Sequence, residues 1–138
     1  MAEYETKTEL CDGVEKMFEA WAGTARTGVV SNFFLPNYPE RLLERHGLRD
    51  HLDFVIDSAQ VGYRKPASEI YLAALERGGI AEKDAAQVIF VGDDWIADIE
   101  GPRQFGMMPV LYSRSESGDD SVRVIHSWSE FRPYHVEG

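Results

Sequence analysis

The chain has 138 residues, enough for one domain with a single buried core. A hydrophobic fraction of 43%, with 3 Trp, 6 Tyr and 7 Phe, excludes an intrinsically disordered chain. Its 24 acidic and 14 basic side chains leave a formal charge of −10, which excludes a general nucleic-acid binder and disfavours anionic membrane surfaces.

Cys11 is the sole cysteine, so the sequence forms no internal disulfide and a reducing, cytoplasmic setting is expected. The first ten residues carry three Glu and one Lys in place of a leader's apolar run. The longest apolar run, Val88-Ile89-Phe90-Val91, is far short of the roughly 20 residues that cross a bilayer. Residues 1–138 are read as one domain, with 1–10 an atypical amino-terminal segment and the polar stretch 113–121 a loop.

In chain order, Val14, Met17, Phe18 and Trp21 recur at i, i+3, i+4 and i+7 and predict a helix that stops at Gly23. Residues 27–32 read as a short buried strand opening into a loop. Asn37 and Pro39 stand where the cap and first turn of a second helix belong; Leu42 and Leu43 give its apolar face, and Gly47 its end. Residues 52–56 have strand length and composition. After Lys65-Pro66 a helix is expected over 67–77, with Ile70, Tyr71, Ala74 and Leu75 inward and Gly78 as the stop. The uninterrupted apolar run 88–91 predicts a strand covered on both faces. A helix over 95–105, closed by Gly106, and strands over 108–112 and 122–125 follow. Strands alternating with helices imply a layered α/β domain with a parallel sheet, whose chemistry gathers at the strands' carboxyl ends.

Three polar clusters fall at such ends. Ser31-Asn32 offers a hydroxyl and a backbone amide to an anionic oxygen, although the pair also suits an ordinary turn. Lys65 brings a mobile point charge suited to phosphate, and equally fits a solvated helix start. Asp93, Asp94 and Asp98 place three carboxylates within six residues, more than helix capping requires and of a kind that suits Mg2+. The histidines His46, His51, His126 and His135 show no ligand spacing.

Taken in order, these clusters resemble the haloacid dehalogenase-like hydrolases, mostly phosphatases. Val29-Val30-Ser31-Asn32 is similar to that family's motif II, Lys65-Pro66 to motif III, and Val88 through Asp93, with Asp98, to motif IV. Gly101, Gly106-Met107 and Pro109-Val110 resemble the segment that follows. A response-regulator receiver domain also combines acids with a lysine, but in the reverse order.

The resemblance implies a three-layer, Rossmann-like parallel sheet flanked by helices, without a cap domain. It implies a phosphate site at Ser31, Asn32 and Lys65, and weak Mg2+ binding by Asp93 and Asp98, with Asp94 a further candidate. It also implies an Asp-X-Asp nucleophile strand before motif II. Upstream of Ser31 the sequence holds only Asp12, with Leu10 two positions before it. The sheet is therefore expected to be incomplete or rearranged at its first strand, which would lie between those of motifs II and IV. Closure is expected by direct pairing of the Val29 and Val88 strands, by insertion of residues 3–10, or by a homodimer. Asp94 as a replacement nucleophile and Cys11 as a reactive thiol are the weaker readings. The expected function is a phosphatase-type relative, inactive as an isolated chain, whose ligand is a small phosphorylated compound. A non-catalytic binding or assembly module and an amino-terminally truncated phosphatase are the alternatives.

Overall fold

The computed structural model describes residues 13–113 and 121–131. Residues 3–10, Cys11, Asp12, His135 and most of the 113–121 loop lie outside the described residues. Among those described, no helix is long and apolar enough to cross a membrane.

The periodic apolar residues of the first segment form α1 (Val14–Ala22), which buries Val14, Met17 and Phe18. Strand β1 (Gly28–Ser31) leads to α2 (Tyr38–Arg45), which buries Pro39, Leu42 and Leu43. Asn37 does precede α2, but its side chain does not cap it. With φ at 64° it turns the chain in the left-handed region, and its Oδ1 accepts instead from Gln60 Nε2 at 2.6 Å. Strand β2 (Phe54–Asp57) runs into the short α3 (Ser58–Val61), and α4 (Ser68–Gly78) follows. The stop of α4 is Gly79, at φ 72°, rather than Gly78, which remains helical and buried. Strand β3 (Ile89–Gly92) precedes a π-helical turn, Trp95–Glu100, continuous with α5 (Gly101–Phe105). Strands β4 (Met108–Tyr112) and β5 (Arg123–Ile125) complete the order.

All pairings among the described strands are parallel, and they form two ladders, β1–β2 and β3–β4–β5. Strand β1 does not pair with β3, so direct closure between the Val29 and Val88 strands is not what the fold adopts. The ladders nevertheless share both core layers. On one face Val29, Val55, Val91 and Val110 pack with Val14, Met17, Phe18, Leu43 and Trp128. On the other, Val30, Ile56 and Phe90 pack with Ile70, Tyr71, Ala74 and Leu75 of α4. Alternate residues of each strand thus point into opposite layers, giving the three-layer α/β architecture.

One expectation needs correction. Strand β3 is only half covered: Ile89 is 38% exposed, and Phe90 and Val91 are partly buried. Its apolar run does face two layers, but its side toward β1 has no ladder partner among the described residues.

Candidate active site

The carboxyl ends of β1, β2 and β3 converge on a small group of polar residues. Ser31 closes β1 and is 3% exposed, yet its Oγ has no hydrogen-bond partner. An orphaned buried hydroxyl costs about 1–3 kcal/mol, an arrangement that invites a ligand. The next residue, Asn32, reaches across to the loop before α4. Its Nδ2 donates to Lys65 O at 3.1 Å and its Oδ1 accepts from Lys65 N at 2.8 Å. This pair of bonds fixes the backbone from which the lysine projects.

Lys65 is buried rather than solvated. Its Nζ donates to Asp98 Oδ1 at 2.6 Å and lies 5.4 Å from the Phe90 ring centroid, within cation–π range. Asp98 Oδ2 accepts from Asp94 N at 3.0 Å, so both oxygens of that carboxylate are engaged. Gly92 makes this approach feasible, since a Cβ there would sit 2.2 Å from Asp98 Oδ2. The glycine before Asp93 is thus demanded by contact with a carboxylate six residues on, not by backbone torsion.

Of the three acids expected at this strand end, Asp94 is exposed and caps the π-helical turn, accepting from Ala97 N at 3.0 Å. Asp98 is the buried partner of the lysine, and Asp93, partly buried, is the first residue beyond β3. Ser31, Asn32, Lys65 and Asp98 therefore stand together, linked through Lys65, with Asp93 adjoining β3.

Several positioning residues carry only faint sequence signals. Asp57, 1% exposed at the end of β2, accepts from Gln60 N at 2.8 Å and from Asn37 N at 2.9 Å. Ser58 Oγ accepts from Phe33 N and donates to Phe33 O. Together they anchor the loop after Asn32, and Asp-Ser at the end of the apolar run 52–56 is a cap signal that could have pointed there. Tyr71 Oη donates to Ala97 O at 2.6 Å and holds the π-helical turn from below. Burial first, and then the negative charges of Asp98 and Asp94, push the Tyr71 phenol well above its ordinary range. Gly101 gives this ring its room, since a Cβ there would lie 2.1 Å from Tyr71 Oη. Elsewhere, Glu15, Glu19 and His51 bring ligand-type atoms within 4.8 Å of one another on the surface, a proximity their sequence spacing does not reveal.

Comparisons with known proteins agree with this geometry. The family model for haloacid dehalogenase-like hydrolases matches residues 1–106. The chain is 39% identical over 98 residues to haloacid dehalogenase-like hydrolase domain-containing protein 3 of Mus musculus, covering 71% of this chain and 37% of that protein. It is 40% identical over 93 residues to ribulose-1,5-bisphosphate 5-phosphatase of Halopiger xanaduensis, covering 67% and 38%. It is 36% identical over 102 residues to the pyrimidine 5'-nucleotidase YjjG of Escherichia coli, covering 72% and 44%. The chain thus spans about two-fifths of the length of these relatives. Among solved structures, a phosphatase of the same superfamily from Thermococcus onnurineus superposes with a TM-score of 0.80 at 25% identity, covering 99% of this chain and 62% of that one.

Proposed function

The chain belongs to the haloacid dehalogenase-like hydrolases, and from that premise we propose that it carries the phosphate-gripping and acidic side of a phosphatase-type site. The substrate class is a small phosphorylated compound, in keeping with relatives named as a bisphosphate phosphatase and a nucleotidase. The observation that carries the reading is the buried, unpartnered Ser31 Oγ, beside a loop that Asn32 ties to the buried Lys65–Asp98 pair.

In this reading the Ser31 hydroxyl donates to a phosphoryl oxygen, and the bond would satisfy an atom otherwise left orphaned. Lys65 supplies positive charge toward the same oxygens, while Asp98 holds its ammonium in place and Asn32 holds its backbone. Asp93 would hold Mg2+, and the engaged oxygens of Asp98 make that residue the lysine's orienter rather than the chief metal ligand. When bound, Mg2+ neutralises phosphate charge and fixes the orientation of the phosphoryl group. Asp94, exposed and capping a helix start, plays no part as nucleophile. The attacking aspartate that the family resemblance calls for has no counterpart before Ser31 beyond Asp12. The isolated chain is therefore read as a binder of phosphate that does not turn over esters, working in the cytoplasm.

The test pairs binding with turnover. Inorganic phosphate should raise the melting temperature of the chain, and Ser31→Ala should abolish that rise. Release of phosphate from a generic aryl phosphate with Mg2+ should not exceed that of Asp93→Asn. Release that disappears in Asp93→Asn overturns the non-hydrolytic part; absence of any phosphate-induced shift overturns the site itself. A second reading, a non-catalytic assembly module on the same scaffold, is favoured by the interrupted sheet.

A further inference from the structure

We propose that the space between β1 and β3 is a docking slot for a single parallel β-strand, apolar on both faces and supplied by a separate polypeptide. The inference stands on the sheet, not on the phosphate site, and goes beyond the proposed function.

The two ladders lie in one plane. Val29 and Val91 share a core layer with Val55 and Val110, while Val30 and Phe90 share the opposite layer with Ile56. They also run in the same sense. The residue after β1, Asn32, bonds to Lys65, Lys65 pairs with Asp98, and Asp98 packs on Gly92 at the end of β3. Their carboxyl ends therefore meet at one place.

Burial across this plane is inverted. The outlying β2 is sealed, with Val55 2% and Ile56 0% exposed. The strands flanking the interruption are open instead: Gly28 and Ile89 are exposed, and Val29, Val30, Phe90 and Val91 are only partly buried. A completed parallel sheet covers such residues. Among the described residues, neither β1 nor β3 has a ladder partner on its facing side. A strand seated between them, at the usual spacing of about 4.8 Å, pairs both edges at once.

The chemistry of the occupant follows from its neighbours. Valines and a phenylalanine line the slot toward both layers, so the incoming strand must be apolar on both faces. The undescribed stretches of this chain do not offer one: Glu3, Glu5, Lys7 and Glu9 punctuate the first, and 114–120 and 132–138 are polar. The net charge of −10 favours a strand with basic flanks. Main-chain pairing of this kind is an established mode of peptide capture.

The test adds a synthetic peptide, Lys-Lys-Gly-Val-Ile-Val-Phe-Val-Gly-Lys-Lys, to the full chain and follows amide hydrogen exchange in β1 and β3. At a free peptide concentration of about 100 Kd, exchange at the slot-facing amides of both strands should slow about 100-fold. A control peptide with every second apolar residue replaced by Lys should have no effect, because one face would then bury charge. Protection of one strand only means edge pairing and overturns the slot, as does protection of neither. Slot amides already protected without peptide also overturn the proposal. Loss of that protection on deleting residues 1–12 would identify the occupant as the chain's own segment. A dimeric mass in sedimentation would identify it as a second copy. Exchange is read without phosphate, so its outcome is separable from that of the proposed site.

Discussion

Replacing Lys65 with Met removes a buried charge while keeping the length of the side chain and its contact with Phe90. In the native chain the ammonium and the Asp98 carboxylate are 2.6 Å apart, with side chains only 7% and 4% exposed. At an effective dielectric constant of about 20, Coulomb attraction at that separation is about 6 kcal/mol. Dehydration of the two ions costs several kcal/mol each, so the intact pair contributes little net stability. Its one-sided loss is a different matter. Lys65→Met leaves Asp98 ionised and buried with only the Asp94 amide to meet it, a situation that costs about 3–5 kcal/mol. An unfolding entropy of about 0.29 kcal/mol/K for 138 residues converts this into a melting temperature lower by about 10–17 °C. Urea titration and calorimetry on Lys65→Met, Asp98→Asn and the double variant measure it. The double variant should recover at least about 1 kcal/mol relative to the sum of the singles, because it leaves no unpaired charge. A Lys65→Met protein within about 1 kcal/mol of the parent, or strict additivity in the cycle, would refute the pairing argument.

Three further outcomes follow from the same geometry. Gly92→Ala drives a methyl into Asp98 Oδ2 and should cost about as much as Lys65→Met, roughly 3–5 kcal/mol, read from the urea midpoint. Asn32→Ala removes both bonds to the Lys65 backbone; at about 1 kcal/mol each it should lose about 2 kcal/mol in urea and weaken inorganic phosphate binding in the same titration. Tyr71→Phe should lose about 1 kcal/mol at neutral pH, with the bond to Ala97 O. Because folding raises the Tyr71 phenol above its ordinary value, its stabilising share is complete below about pH 10 and is lost as the pH climbs beyond that. The alkaline decline of the parent should therefore be steeper than that of Tyr71→Phe in melting curves taken above about pH 10; equal slopes would contradict it.

The sequence by itself determined the alternation of strands and helices, because apolar spacing along α1, α2 and α4 and the short apolar runs of β1 to β4 are local properties. It also determined which residues would carry the chemistry: Ser31, Lys65 and the Asp93–Asp98 cluster fall at strand ends, where a parallel sheet gathers its polar side chains. Tertiary structure decided the rest. Sequence allowed Lys65 to be a solvated helix-start residue; only the packing of the β1, α4 and β3 regions buries it against Asp98, 33 positions away. Spacing alone could not separate the three aspartates, since their roles depend on whether each meets a backbone amide, a lysine or solvent. The glycine of Gly92-Asp93 reads as punctuation in the sequence, yet the fold uses it as the seat of a carboxylate. The run 88–91 looked like a fully covered strand because hydrophobicity records what a strand prefers to bury. Whether a neighbour is present to bury it is a property of the sheet, which leaves β1 and β3 facing one another across an open ladder position.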